Sequence, residues 1–111
     1  THRVYVANYT DASLSVLDGS TFQVVTVVPV AAQPDGVAVD ATHDRVYVSH
    51  GTEDGWAGPG RITMIDGATS TVLVSQAVGH EPWGIAVDPR TSRVFVANHA
   101  GDSVTVLQDR P

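Results

Sequence analysis

The sequence predicts an all-β chain built from repeats of a four-stranded antiparallel unit. A valine-rich hexapeptide that begins with arginine occurs at residues 3–8, 45–50 and 93–98, with spacings of 42 and 48 residues. Self-similarity at a period in the forties indicates small supersecondary units that stack on one another. No segment shows the 3.6-residue apolar period of a helix, whereas valine packs well on a pleated surface and favours strands.

Two further repeated segments keep the same register. Residues 34–40 match residues 82–88, and residues 13–18 match residues 61–66, both at a spacing of 48. The difference between the two spacings falls within residues 51–60, which are rich in glycine. We interpret this stretch as an insertion in a single loop, with the strands on either side still aligned.

The complete unit begins at Pro34, and we predict four strands in it, A to D. They are Gly36–Val39, Arg45–Ser49, Arg61–Ile65 and Thr71–Val78. Asp40 and Asp88 begin the A–B turns, where an aspartate side chain accepts hydrogen bonds from the backbone N–H groups that follow it. The C–D connections contain Asp18-Gly19 and Asp66-Gly67, which predict tight hairpins with glycine at positive φ.

The predicted strands carry apolar residues on both faces, as in residues 24–28 and 62–65. A sheet with one face in water alternates more cleanly, so we expect each sheet to lie between two similar sheets. The simplest such arrangement is a β-propeller, whose blades are four-stranded antiparallel meanders around an axis. The first copy lacks strand A and the third lacks strand D. The chain is therefore predicted to be an incomplete arc of a propeller, divided into residues 1–33, 34–81 and 82–111.

An incomplete arc exposes two apolar blade faces, more than the few hundred Å² that a monomer usually exposes. We expect the rest of a longer propeller chain, or identical copies of this chain, to complete the ring. The net charge of −6 and the absence of lysine argue against nucleic-acid partners, which need a stripe of cations. No apolar run is long enough for membrane insertion. The absence of cysteine excludes disulfides and thiolate chemistry.

The repeated text resembles the YVTN family of β-propeller repeats. The matching motifs are Pro-x-Gly-Ile/Val-Ala-Val-Asp, Arg-Val-Tyr/Phe-Val-Ala-Asn and a Val/Ile-rich strand that ends in Asp-Gly. His50 departs from the pattern, because the other two copies have asparagine there. Similar propellers include cell-surface and periplasmic proteins, a haem-binding domain of nitrite reductases, lactonases and a streptogramin lyase. The resemblance implies the fold and an extracellular or periplasmic location, but it does not select an activity.

In an up-and-down meander the B–C and D–A connections emerge at one end, and the polar and aromatic clusters of this sequence all lie there. Loops on a rigid scaffold concentrate binding residues, and tryptophan is a favoured anchor. Our leading hypothesis is a non-enzymatic binding or scaffold module, without a cofactor, that presents this end to a protein, glycan or small ligand. The candidate ligand contacts are Trp56, His80, Glu81, Trp83, His50 and His99. A harmless longer loop, with Trp56 folded back on the blade, is the alternative for the insertion.

Two chemical alternatives use the same end. His80 and Glu81 are a candidate catalytic pair, in which the imidazole moves a proton and the carboxylate orients it; adjacent residues of an extended loop point apart, however. His50, His80 and His99 are candidate metal ligands, although none of them shows a short ligand spacing. Either arrangement suits a metal-assisted lactonase or lyase. A third hypothesis is a structural repeat of a cell-surface protein.

The opposite end carries the A–B and C–D turns and is predicted to be chemically bland. Arg3, Arg45 and Arg93 begin the three copies of strand B. We predict that they are structural and pair across strands or with aspartates of the A–B turn, where surface ion pairs contribute about 0–1 kcal/mol each.

Overall fold

The computed structural model describes residues 3–31, 33–51, 59–80, 82–98 and 102–109, with only the backbone for Pro59, His80 and Trp83. Within these ranges the chain forms ten strands, and no helix is long and apolar enough to cross a membrane. The strands are β1 (Arg3–Asn8), β2 (Ser13–Asp18), β3 (Val24–Pro29), β4 (Pro34–Asp40), β5 (Arg45–His50), β6 (Pro59–Asp66), β7 (Thr71–His80), β8 (Pro82–Asp88), β9 (Arg93–Asn98) and β10 (Ser103–Gln108).

The strands pair into three antiparallel sheets with the orders β1-β2-β3, β4-β5-β6-β7 and β8-β9-β10. We refer to them as the first, middle and third blades. Sequence neighbours are spatial neighbours throughout, so the predicted meander is confirmed. The four strands predicted for the middle blade each lie within an observed strand. The chain is an incomplete arc of a β-propeller.

The middle blade is buried on both faces because alternate residues of β5 point to opposite neighbours. Val46 and Val48 pack with Leu14 of the first blade, in a cluster that we call the first junction. Tyr47 packs with Val94 of the third blade in the second junction. All of these side chains are fully buried. Full burial of such apolar side chains is worth about 1.5–3 kcal/mol each, so the blades stabilise one another.

The two outward faces of the arc remain apolar and exposed. Val4 and Val6 lie on the first blade, and Phe95, Val104 and Val106 lie on the third, where Val104 is 64% exposed. A shallow apolar cavity of about 360 Å³ lies on this third-blade face, beside Phe95 and Val104. These faces correspond to the faces that the middle blade covers inside the arc.

The connections separate into two ends, as the meander predicts. Residues 9–12, 30–33, 51–58, 81 and 99–102 connect the strands at one end, which we call the loop end. Residues 19–23, 41–44, 67–70 and 89–92 connect them at the turn end. The predicted candidate contacts therefore belong to the loop end.

The prediction of a glycine at positive φ in the C–D turn is wrong at Gly67. Positive φ falls instead on Ser70 (57°), and on Phe22 (61°) in the first blade. The Ser70 N–H donates to the Asp66 carbonyl at 2.8 Å, so the turn is longer than a two-residue hairpin. Gly67 has another role: a side chain there would collide with Asp44.

The predicted aspartate turns are confirmed at both A–B connections. Asp88 Oδ1 accepts a hydrogen bond from the Arg90 N–H at 3.0 Å. Asp40 accepts from the His43 backbone N–H at 3.2 Å and from His43 Nδ1 at 2.8 Å. The Asp40 side chain is fully buried. Burial raises the pKa of Asp40, but the hydrogen bonds from His43 outweigh burial and bring it below its ordinary value.

Asp40→Asn should lower the free energy of unfolding at pH 7 by about 1–3 kcal/mol, the usual value of a hydrogen bond to a charged group. Because the folded-state pKa is below the unfolded value of 3.8, this contribution is complete above pH 3.8. It is lost as the pH falls from there through the folded-state pKa. Urea unfolding of the variant and the parent at pH 7 and at steps below pH 4 measures the difference.

Asp88→Asn is the matched control, because this side chain is 33% exposed and should change stability by no more than about 0.5 kcal/mol. Equal effects of the two substitutions at pH 7 would contradict a special contribution from the buried carboxylate.

Arg45 pairs across the strands, as predicted, but its closer partner comes from another blade. Its Nη1 lies 4.0 Å from Asp66 Oδ2, opposite it on β6, and its Nε lies 3.3 Å from Asp109 Oδ2. The same Asp109 oxygen accepts a 2.6 Å hydrogen bond from the Tyr47 hydroxyl. The Asp109 N–H donates to the Ser92 carbonyl at 2.9 Å. Asp109 thus links the third blade to the Arg45–Tyr47 pair of the middle blade.

Asp109→Asn should destabilise the chain by about 1–3 kcal/mol, because it weakens a charge-assisted hydrogen bond to a buried hydroxyl. Tyr47→Phe removes the same bond and should have an effect of similar size. Urea unfolding of both variants, with the exposed Asp11→Asn as control, measures these changes. Parent-like stability of Asp109→Asn would show that this contact contributes nothing.

Candidate functional site

A polar residue closes strand B of each blade at the loop end, half-buried in the first blade and buried in the other two. In the first blade Asn8 Nδ2 donates to Ser13 Oγ at 3.1 Å and to Ser15 Oγ at 2.7 Å. Both acceptors belong to the next strand, so the amide joins the two sides of the connection at residues 9–12. This contact fixes where the B–C connection leaves the sheet.

The third blade repeats the arrangement. Asn98 is buried, and its Nδ2 lies 3.3 Å from Ser103 Oγ and 2.7 Å from Thr105 Oγ1. Gly79 of the middle blade packs directly against the Asn98 side chain, whose Cγ would lie 2.6 Å from a Cβ at that glycine. The absence of a side chain at Gly79 therefore lets β7 approach this anchor closely.

His50 occupies the same position in the middle blade. Its side chain is 1% exposed, and Nε2 lies 2.7 Å from the Thr63 hydroxyl on β6. Thr63 matches Ser15 and Thr105 by register, since all three lie opposite the third residue from the end of strand B. The imidazole thus takes the place of the asparagine amide and is buried at the end of strand B.

The other predicted site residues are described only in part. Trp56, Glu81 and His99 lie outside the described residues. His80 is the last residue of β7 and pairs with Pro59, and Trp83 is the second residue of β8. The backbone thus places both at the loop end, where the middle and third blades meet. Their assignment as ligand contacts stays a prediction.

The backbone at this place is tightly packed. A side chain at Gly60 would collide with the Pro82 ring and would lie 2.6 Å from the His50 carbonyl oxygen. Gly60 therefore lets the end of the insertion pass between β5 and the start of the third blade.

The described residues hold no group of three or more histidine, cysteine, aspartate or glutamate side chains that could bind a metal ion. Of the three predicted metal ligands, only the His50 side chain is described. This side chain is buried, and its Nε2 lies 2.7 Å from the Thr63 hydroxyl. The assignment of the three histidines as metal ligands stays a prediction.

A polar cavity lies at the turn end, although the sequence predicts that this end is chemically bland. Its volume is about 200 Å³, and it is lined by Arg3, Tyr5, Asp44, Gly67 and Ala68. Burial and the nearby Asp44 carboxylate raise the pKa of Tyr5, against the opposing effect of Arg3. The available sequence signal was the repeated Arg-x-Tyr pair of residues 3–5 and 45–47.

Stacked antiparallel meanders that share apolar faces define this chain as part of a β-propeller. A family model described as "Lactonase, 7-bladed beta-propeller" matches residues 3–110. The chain therefore belongs to this family. A search of the curated proteins found no match.

Solved structures of quite different proteins share the fold. Hydrazine synthase from Kuenenia stuttgartiensis is similar with a TM-score of 0.82 at 22% identity, over 96% of this chain and 29% of that chain. The dihydro-heme d1 dehydrogenase NirN, in complex with DHE, has a TM-score of 0.77 at 21% identity, over 98% and 22%. KlAtg21, in complex with the coiled-coil of AgAtg16, has a TM-score of 0.68 at 16% identity, over 96% and 35%.

At these identities the similarity shows the fold alone. This chain spans between 22% and 35% of the length of these three structures.

His50→Asn should be tolerated to within about 1 kcal/mol, because the asparagine amide makes the equivalent contact in the other two blades. His50→Ala should cost about 1–3 kcal/mol, since it leaves the Thr63 hydroxyl buried without this partner. Urea unfolding of the two variants compares them directly. An asparagine variant as unstable as the alanine variant would contradict the equivalence of the three anchors.

Proposed function

We propose that this chain supplies three consecutive blade positions of a larger propeller, and that its loop end is a ligand-binding surface of a non-enzymatic scaffold. The observation that carries the proposal is the anchor repeated at Asn8, His50 and Asn98. It fixes the base of every B–C connection at one end of the arc. Loops held on a rigid base are where proteins concentrate recognition.

The three B–C connections differ in length, although the residues that anchor them make equivalent contacts. The B–C connection of the middle blade spans residues 51–58, against residues 9–12 and 99–102 in the other blades. Both tryptophans of the chain, Trp56 and Trp83, belong to the loop end. We assign these two residues, with His80, Glu81 and His99, to the ligand, and His50 to the support of the loop. The ligand class is a protein, a glycan or a small molecule.

The exposed faces of the first and third blades are the reason to propose partners that lie beside the arc. They have the apolar character of the faces that are buried inside the arc, and an apolar surface of this kind is stable when another blade covers it. We assign this role to the rest of a longer propeller chain or to identical copies of this chain. The finer resemblance to YVTN repeats supports an extracellular or periplasmic site of action.

Lactone hydrolysis is the second candidate, favoured by the description of the matching family. In this reaction water adds to the lactone carbonyl, the ring C–O bond breaks, and a hydroxy acid is released. His80 would take a proton from the water and return it to the leaving oxygen, and Glu81 would orient the imidazole. The form of this candidate in which a metal assists the reaction, with His50, His80 and His99 as ligands, stays a prediction.

Tryptophan fluorescence tests both candidates, since the only two tryptophans of the chain lie at the loop end. We expect a saturable change when the chain is titrated with one of three probes: a simple lactone, an oligosaccharide or an unstructured peptide. Trp56→Phe and Trp83→Phe should each remove part of the change and weaken binding about tenfold, equivalent to about 1.4 kcal/mol. Phe22→Ala, at the turn end and 74% exposed in the parent, is the control and should bind like the parent.

Acid release from the lactone, recorded in the same titration, separates the two candidates. If the chain is a non-enzymatic scaffold, we expect no acid release above the uncatalysed rate. The lactonase is supported instead of the scaffold if acid is released and His80→Gln lowers the rate of release by about 100-fold or more. A decrease of this size is within the usual contribution of a general base. A flat fluorescence response to all three probes would overturn the assignment of the loop end.

A further inference from the structure

The second junction shows what the Arg-x-Tyr pair of strand B binds. Asp109 Oδ2 lies 2.6 Å from the Tyr47 hydroxyl and 3.3 Å from Arg45 Nε. One carboxylate oxygen thus accepts a hydrogen bond from a tyrosine hydroxyl and also lies beside a guanidinium. The Arg-x-Tyr pair therefore holds a carboxylate through one hydrogen bond and one ion pair, and the chain itself supplies that carboxylate.

The first junction contains the same pair without that carboxylate. Arg3 and Tyr5 hold the positions in β1 that Arg45 and Tyr47 hold in β5, since Arg3 faces Asp18 and Arg45 faces Asp66 in the two registers. The residue equivalent to Asp109 is Gly67, which has no side chain to offer. What remains in its place is the polar cavity of about 200 Å³.

Backbone hydrogen bonds establish that Gly67 and Asp109 are equivalent. Each is the first residue after strand C. The Gly67 N–H donates to the Asp44 carbonyl at 2.7 Å, and the Asp109 N–H donates to the Ser92 carbonyl at 2.9 Å. Asp44 and Ser92 are in turn equivalent, because each precedes strand B and has φ near +55°.

Asp44 gives the cavity a second, acidic wall. Its carboxyl carbon would lie 2.9 Å from a Cβ at Gly67, so its side chain lies beside the cavity. Among the described residues, no ion pair within 4.0 Å joins Asp44 to Arg3. The cavity therefore has hydrogen-bond donors of Arg3 and Tyr5 on one side and a carboxylate acceptor on the other.

We propose that this cavity binds a small carboxylic acid that also carries a hydroxyl or an ammonium group. The ligand carboxylate meets Arg3 and Tyr5 as Asp109 meets Arg45 and Tyr47, and its donor group binds Asp44. A simple carboxylate is disfavoured, because Asp44 repels its charge without receiving a hydrogen bond in return. An engineered cavity of about 150 Å³ holds benzene, so a molecule of about six heavy atoms fits.

The test is a titration of the full chain with L-lactate, L-alanine and propionate, followed by the NMR amide shifts of Gly67 and Ala68. We expect saturable shifts with lactate or alanine, and binding at least tenfold weaker with propionate, which lacks the donor group. The better of the first two probes identifies the donor as a hydroxyl or an ammonium. No saturable shift with either probe, or equal binding of propionate, would overturn the proposal.

The double variant Asp44→Ser/Gly67→Asp copies the second junction into the first. Its new carboxylate should occupy the ligand position, so the chain should keep its fold and lose lactate or alanine binding. Tyr5→Phe is the independent variant, and it should weaken binding about tenfold even if the double variant does not fold. Unchanged affinity in a folded double variant, or in Tyr5→Phe, would refute the site.

The readout is separate from the function proposed for the loop end. Binding at the turn end should leave the fluorescence of Trp56 and Trp83 unchanged, and Trp56→Phe should bind the probes like the parent. A change in tryptophan fluorescence that accompanies probe binding, and that Tyr5→Phe does not weaken, would assign the ligand to the loop end and overturn the turn-end site.

Discussion

The structure depends on one constraint: a blade with two apolar faces must have a neighbour on each. Strand β5 shows it most clearly, because Val46 and Val48 point into the first junction while Tyr47 points into the second. Successive residues of a strand point in opposite directions. A change of side chains on one face therefore does not remove the apolar surface that the other face would expose to water. The blades are therefore cooperative units, and the polar contacts at their ends act on blades that apolar burial has already brought together.

This constraint is also why the fold could be predicted from the sequence. The repeated hexapeptide gave strand B three times, and apolar residues at successive positions indicated burial on both sides. The ends of the strands were harder to predict from the sequence, because the hydrogen bonds of the sheet extend past the apolar residues. Strand β7 ends at His80, whereas the predicted strand ended at Val78. The Asp66-Gly67 turn was misjudged for a tertiary reason. Its glycine makes room for Asp44 from another turn, a contact that local sequence does not contain.

The site was predictable only in outline. Chain topology sufficed to place the candidate contacts at the loop end, because strand parity decides it. Chain topology did not reveal that His50 is buried. A histidine where the other copies have asparagine is equally compatible with an exposed residue that has a new function. The decisive fact is the position of the Thr63 hydroxyl, 2.7 Å from the imidazole and on the neighbouring strand. The turn-end cavity was missed for the same kind of reason: it arises from residues of two blades.

The two junctions differ by an exchange of residues between equivalent positions. Asp44 and Gly67 at the first correspond to Ser92 and Asp109 at the second, so each junction has a carboxylate at one of these two equivalent positions but supplies it from a different side. Only the second carboxylate reaches its pair directly.

The third blade departs from both junctions, because Phe95 has no hydroxyl and the nearby Arg93 Nε donates to Gln108 at 3.2 Å. A blade stacked on that face therefore has apolar burial to rely on, but no tyrosine hydroxyl for a carboxylate to accept from. The polar contact thus varies from junction to junction, while the apolar packing is present at each. This is expected if apolar burial contributes more to the stability of the arc than the polar contacts do. The polar groups are then free to acquire other roles.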